Sequence, residues 1–114
     1  MPQNKHEISQ EQASAMISEF RQQLPKMLQP AYSDALPYSE TFDKSVFETL
    51  LGQSGCASIR AYLGMDEEKQ VRMIFTGVTS DGNDILADSG GSLFEVGNRC
   101  PPNCVTGPLN PPTE

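Results

Sequence analysis

CASIRAYLGMDEEKQVRMIFTGV, residues Cys56–Val78, decides the fold class. In its first part Ile59, Ala61 and Leu63 alternate with Ser58, Arg60 and Tyr62. An apolar residue at every second position is the pattern of a half-buried strand. Gly64 to Gln70 then concentrates Asp66, Glu67, Glu68 and Lys69, which reads as a solvated hairpin loop. Val71 to Val78 is apolar on both faces in its middle, as expected of a central strand. A connection this short makes the two strands antiparallel.

Downstream of the hairpin, Ser80-Asp81-Gly82-Asn83-Asp84 is turn chemistry, because Gly and Asn accept positive φ at low cost. Ile85–Ala87 and Ser92–Val96 are read as two further short strands, separated by Gly90-Gly91. Five of the nine prolines then fall in residues 101–112, where neither helix nor central strand is sustainable.

Upstream, the period lengthens to that of helices. Ala13, Met16, Ile17, Phe20 and Leu24 recur at spacings of three and four and mark one amphipathic face. Ser9 and Gln12 have the spacing of a capping box, and Glu11 suits the positive helix start. Pro25 is expected to end this helix near Gln23 or Leu24, with at most a short turn up to Pro30. Residues 30–38 read as an irregular connector. A second helix carries Phe42, Val46, Phe47, Leu50 and Leu51, capped by Ser39 or Thr41 and stopped by a left-handed Gly52. The sum is an α+β fold, in which two N-terminal amphipathic helices pack on a three- or four-stranded antiparallel sheet. Residues 1–104 are expected to form one domain and residues 105–114 a proline-rich extended or disordered tail.

Charge narrows the function classes. The 114 residues carry a formal charge of −7. Residues 1–30 balance Glu7, Glu11 and Glu19 against Lys5, Arg21 and Lys26, so the whole excess lies beyond them. Neutralising phosphates needs clustered Lys and Arg, and none is present. Nucleic acid and anionic membrane are therefore poor partner choices. The polar N-terminus MPQNKHEISQ lacks an apolar signal-peptide stretch, and no long apolar run occurs, so the expectation is a cytoplasmic protein. The odd count of three cysteines agrees, since it is not a disulfide framework.

Chemistry-bearing residues are few. Cys100-Pro101-Pro102-Asn103-Cys104 spaces two thiols across a stiff loop. Three readings stay open: half of a zinc site completed by Cys56 or a carboxylate, a short-range disulfide or redox pair, and two small apolar anchors that pin the tail. The redox reading departs from the two-residue gap of thioredoxin-like motifs. Cys56 as a nucleophile needs a base, and the single histidine, His6, lies in a segment expected to fray. Asp81, Asn83, Asp84 and Asp88 gather oxygen donors, but an EF-hand register puts Gly77 where an acid is required. A solvated turn explains the same residues. No phosphate-cradling glycine loop or serine elbow occurs. Tyr32, Tyr38, Tyr62 and the proline tail are residue types that suit protein contacts.

The set Gly55-Cys56, Ile59-Arg60-Ala61-Tyr62-Leu63-Gly64, Gly77-Val78, Asp81-Gly82-Asn83-Asp84 and Cys100-Pro101-Pro102-Asn103-Cys104 resembles a family of small bacterial proteins of Bacteroidetes type with no established activity. It spans under half the chain. The resemblance implies that Cys56, Cys100 and Cys104 belong together and assigns no role to any residue. It motivates the expectation that Arg60, Tyr62 and the cysteines share one end of the sheet. The function expected is a non-enzymatic protein-interaction or accessory module, with a protein partner or a homodimer. Arg60, Tyr62, Pro101 and Pro102 are its expected contact residues. The alternative is a thiol or zinc site on Cys56, Cys100 and Cys104, and no enzyme class is supported.

Overall fold

The hairpin read from Cys56–Val78 is the longest regular feature of the computed structural model, which describes residues 4–86, 90–95 and 97–110. Strand β2 (Cys56–Met65) pairs antiparallel with β3 (Val71–Thr79) in the register Arg60↔Thr76, Tyr62↔Ile74 and Gly64↔Arg72, with a bulge between Cys56 and Ser58. The loop is closed by Asp66, whose carboxylate accepts from the N–H groups of Glu68 (2.9 Å) and Gln70 (3.0 Å). A third strand, β4 (Leu93–Phe94), adds to the far side of β3 opposite Phe75 and Thr76. β3 is thus central, as its apolar middle requires, and Thr76, Gly77 and Val78 are buried.

The element order ahead of the hairpin is helix, strand, helix. Helix α1 (Gln10–Met27) opens on the capping box: the Ser9 hydroxyl accepts from Gln12 N–H, and the Gln12 side chain accepts from Ser9 N–H. It does not stop at Pro25 but runs to Met27, closed by Leu28 N–H on the Leu24 carbonyl at 3.3 Å. Proline's fixed φ is itself helical, so one proline in a last turn costs a hydrogen bond without ending the helix. Helix α2 (Lys44–Leu51) is N-capped by Asp43, not by Ser39 or Thr41. Its C-terminal Gly52 has φ −80°, and the left-handed glycine is Gly55, at φ 78°, just before β2.

Ser39 and Thr41 are not caps because they belong to a strand. β1 (Ser39–Thr41) pairs antiparallel with β5 (Asn98–Cys100), forming a two-stranded ribbon separate from the three-stranded sheet. The strand expected at Ile85–Ala87 is not formed over its described part. Asp84 makes a single bridge to Val78, and Ile85 N–H donates to the Gly77 carbonyl at 2.8 Å. Ala87, Asp88 and Val96 lie outside the described residues, as do Pro111 and Pro112.

α2 docks on the hairpin through aromatic rings. Phe75 on β3 meets Phe42 and Phe47 edge-on, with centroids 4.8 and 5.2 Å apart. α1 lies against the ribbon and the segment that follows it. Its Arg21 guanidinium stacks on Tyr38 at 4.1 Å and donates to the Asn110 side chain, and Ser14 Oγ donates to the Pro108 carbonyl at 3.4 Å. Among the described residues the buried apolar ones are few: Leu24, Ala35, Leu50, Val78, Ile85 and Cys100. The molecule is thin, 46 × 44 × 22 Å, and its radius of gyration of 16.4 Å exceeds the ~13 Å expected for a compact domain of this length.

Candidate functional site

Among the described residues, two places bring chemistry-bearing side chains together, one on the open face of the hairpin and one where the ribbon meets it. On the hairpin, β2 alternation sends Arg60 and Tyr62 to the same face, over the Asp81–Asp84 turn. Arg60 Nη1 lies 2.7 Å from Asp84 Oδ1, Arg60 Nη2 donates to the Gly82 carbonyl at 3.2 Å, and the Tyr62 hydroxyl donates to Asp84 Oδ2. The contact with Tyr62 first, and the Asp84 charge after burial has worked against it, keep the Arg60 guanidinium more firmly protonated than usual. Gly82 at φ 89° makes the turn that presents Asp84. Both Asp84 oxygens are therefore engaged, which leaves this turn a poor cation cradle. Asp88 of the same acidic set lies outside the described residues.

At the ribbon, Glu40 of β1 is the node. Its carboxylate accepts from Met73 N–H (3.2 Å) and Gly97 N–H (3.1 Å), and lies 3.2 Å from Arg72 Nη2, with the side chain 1% exposed. It replaces, with side-chain oxygens, the ladder that β3 would otherwise make on this side. Arg99 of β5 works in the opposite sense. Its buried guanidinium donates to the Val71 carbonyl and to those of Ala35 (3.3 Å) and Asp34 (3.5 Å). Together they fasten the ribbon and the 34–35 connector to the first residues of β3. Both buried charges are satisfied structurally, so neither is a spare catalytic group.

The cysteines divide. Cys100 and Cys104 form a disulfide, with Cα atoms 4.8 Å apart, and the Cys100–Pro101 and Pro101–Pro102 peptide bonds are both cis. Cys56 is free, and its thiol donates to the Ser58 carbonyl at 3.3 Å. A zinc site on Cys56, Cys100 and Cys104 is not what the structure builds: bridged sulfurs are not thiolates, and only thiolates ligate zinc this way. Among the described residues, no group of three His, Cys, Asp or Glu side chains stands in a metal-holding arrangement. The expected contact residues have different neighbours. Arg60 and Tyr62 meet at Asp84, whereas Pro101 and Pro102 border a cleft of about 400 Å³ with Leu24, Tyr38, Gln70 and Arg99.

Sequence reasoning passed over Glu40, Asp84 as the shared partner, and Arg99. Asp84 alone had a usable signal, since it lies in a turn whose acids were already noted. His6, the one histidine, bonds through its backbone N–H to the Asn4 side chain in an exposed N-terminal turn.

The fold adds apolar surface to this inventory. Leu63 is 74% exposed and Met65 53%, both on one face of β2, and Tyr62 is exposed on the other. No helix of the described residues is long and apolar enough to cross a membrane. No family model, no curated protein and no solved structure matches the chain, so its functional reading rests on these residues and their geometry.

Proposed function

We propose that the chain is a non-enzymatic protein-interaction module whose contact surface includes the exposed side of β2. The observation that carries this is Leu63 and Met65 standing in solvent on a regular strand, in a molecule that buries few apolar side chains. Apolar surface left open on a regular element marks a place for a partner. On the opposite face of the same strand Arg60 and Tyr62 offer polar contacts, and Tyr and Arg are residue types enriched in such surfaces. The net charge of −7 without a basic cluster favours a protein partner over nucleic acid. Affinity capture from the native source, with the wild-type chain and a Leu63→Lys, Met65→Lys double variant side by side, tests the reading. Proteins retained by the first and lost by the second support it; identical sets, or none, sink it.

A second reading rests on the Cys100–Cys104 bridge itself: a thiol pair that opens and closes, taking two electrons and two protons from a dithiol on opening. Location enters the same question, because the cytoplasm keeps thiols reduced. Acid-trapping whole cells and counting alkylated cysteines by intact mass separates the cases. Three alkylated cysteines support the cytoplasmic placement expected from the sequence; one alkylated cysteine places the bridged form in an oxidising compartment. A mixture that shifts with oxidant supports the switch.

A further inference from the structure

In the three-stranded sheet β2 is the end strand, so one side of its backbone has no strand neighbour. Which residues face that side follows from β3. Val71 N–H donates to Ala35, Met73 N–H to Glu40, Thr79 N–H to Asn83, and the Gly77 carbonyl accepts from Ile85. The odd-numbered residues of β3 therefore turn away from β2, and the even-numbered ones turn toward it. In an antiparallel ladder the residues opposite one another share that sense. Ser58, Arg60, Tyr62 and Gly64 thus bond to β3, while Ile59, Ala61 and Leu63 point their N–H and C=O groups out of the sheet. Among the described residues, nothing pairs with those groups.

Edge strands of monomeric proteins are ordinarily shortened, bulged, or guarded by Lys or Pro. β2 has ten residues, its one bulge is at its start, and it holds no Lys, no Pro and no acid. Its single charge is Arg60. This is an edge built to be covered.

We infer that the occupant is a second copy of this chain, added antiparallel along β2 with the two-fold axis through Ala61, so that two three-stranded sheets become one continuous sheet. The inference rests on the interaction-module reading and specifies its partner. Self-complementarity of the strand selects both occupant and register. With Ala61 opposite Ala61, Ile59 meets Leu63 of the second copy on one face, so the most exposed apolar side chain of the strand finds an apolar partner. On the other face Arg60 meets Tyr62 of the second copy, a cation against an aromatic ring, and no arginine faces arginine. The acidic run Asp66-Glu67-Glu68 falls opposite Ser54-Gly55-Cys56, so no acid faces an acid, even though each copy carries −7. Any axis through a residue brings outward-facing groups into register, but one at Arg60 sets arginine against arginine, and one at Tyr62 leaves Leu63 opposite only Ala61. An axis at Ile59 runs the ladder into the Cys56–Ser58 bulge, and one at Leu63 runs it into the Asp66–Gln70 turn.

Sedimentation across a concentration series, joined to single-cysteine cross-linking, tests the inference. The wild type is expected at twice its 12.5 kDa chain mass, and Leu63→Lys at the single-chain mass with the cooperative unfolding of a folded chain, since that side chain is exposed in the single chain. On a Cys56→Ser background, Ala61→Cys is expected to form a covalent dimer under mild oxidation, because axis residues face each other at the ~5.5 Å Cα separation of a hydrogen-bonded pair, within disulfide reach. Tyr62→Cys, off the axis, is expected to stay uncoupled. A wild type that holds single-chain mass at every concentration overturns the inference. So does a dimer that survives Leu63→Lys and leaves Ala61→Cys uncoupled. Either result leaves the interaction-module reading standing if the differential capture still returns partners, and that reading falls only if the capture fails too.

Discussion

The β2–β3 hairpin and the β1–β5 ribbon are both antiparallel pairs, yet they are held by different physics. The hairpin joins neighbours in sequence across a loop that Asp66 closes, and its strands read as strands from their own side chains. The ribbon joins Ser39–Thr41 to Asn98–Cys100, two three-residue segments far apart in the chain. Three residue pairs do not make a stable sheet in water. What keeps the ribbon in place is a set of polar fastenings: Glu40 on Met73, Gly97 and Arg72, Arg99 on three carbonyls, and the Cys100–Cys104 bridge. The hairpin is a structure of pattern and the ribbon a structure of particular contacts. Single substitutions should therefore damage the ribbon more.

The largest effect is expected at Glu40. Glu40→Ala removes a buried carboxylate and leaves two backbone N–H groups and a half-buried guanidinium without it. Removing one partner of a buried ion pair costs about 3–5 kcal/mol. Glu95, 3.7 Å from Arg72 Nε, should hold the loss near the lower end of that range. Urea denaturation measures the total. Amide hydrogen exchange decides the comparison: Met73, Gly97 and the ribbon amides should lose protection first, while Tyr62 and Ile74, paired inside the hairpin, keep theirs. Uniform loss across both regions would mean that ribbon and hairpin unfold as one unit, and the contrast would fail.

The disulfide comes next. It closes a short loop, separation four in sequence, so loop-closure entropy assigns it about 2 kcal/mol. Cys104→Ser, at the exposed end, should lower stability by about that amount and leave the hairpin signals in place. Cys100→Ser should cost more, because Cys100 is also a buried packing residue. Equal losses for the two variants would show that packing at Cys100 contributes nothing beyond the bridge.

The same division explains what the sequence made legible. Period-two alternation and a charged loop showed the hairpin, and the Ser9–Gln12 spacing showed the start of α1 to the residue. These are local signals, carried by residues that interact with near neighbours. β1 was invisible because Ser39-Glu40-Thr41 carries no apolar alternation, and hydroxyl residues ahead of an apolar stripe look the same as a helix cap. Its partner lies almost sixty residues on, and no pattern within a window links them. Gly52 next to Gln53-Ser54-Gly55 presented two glycines for one left-handed position, and periodicity does not choose between them. At the site, Arg60 and Tyr62 were legible as one face of one strand, but their partner Asp84 depends on where the next turn folds back. The zinc and disulfide readings of Cys100 and Cys104 use the same spacing, and only coordinates separate them.

The smallest effect sharpens the comparison from the other side. The Tyr62 hydroxyl reaches Asp84 on the open face of the hairpin, where water competes for both groups. Tyr62→Phe removes that contact and nothing from the β2–β3 ladder, so stability should change by no more than about 0.5 kcal/mol. Arg60 retains its direct contact with Asp84, and the turn retains its backbone bonds from Gly82 to Thr79 and from Thr79 to Asn83. If Tyr62→Phe instead costs as much as Cys104→Ser, the Arg60–Tyr62–Asp84 cluster is a fastening like those of the ribbon. If stability and self-association both barely move, the hydroxyl is needed by neither, which is the outcome expected when the ring, kept by Tyr62→Phe, is what packs across the two-fold.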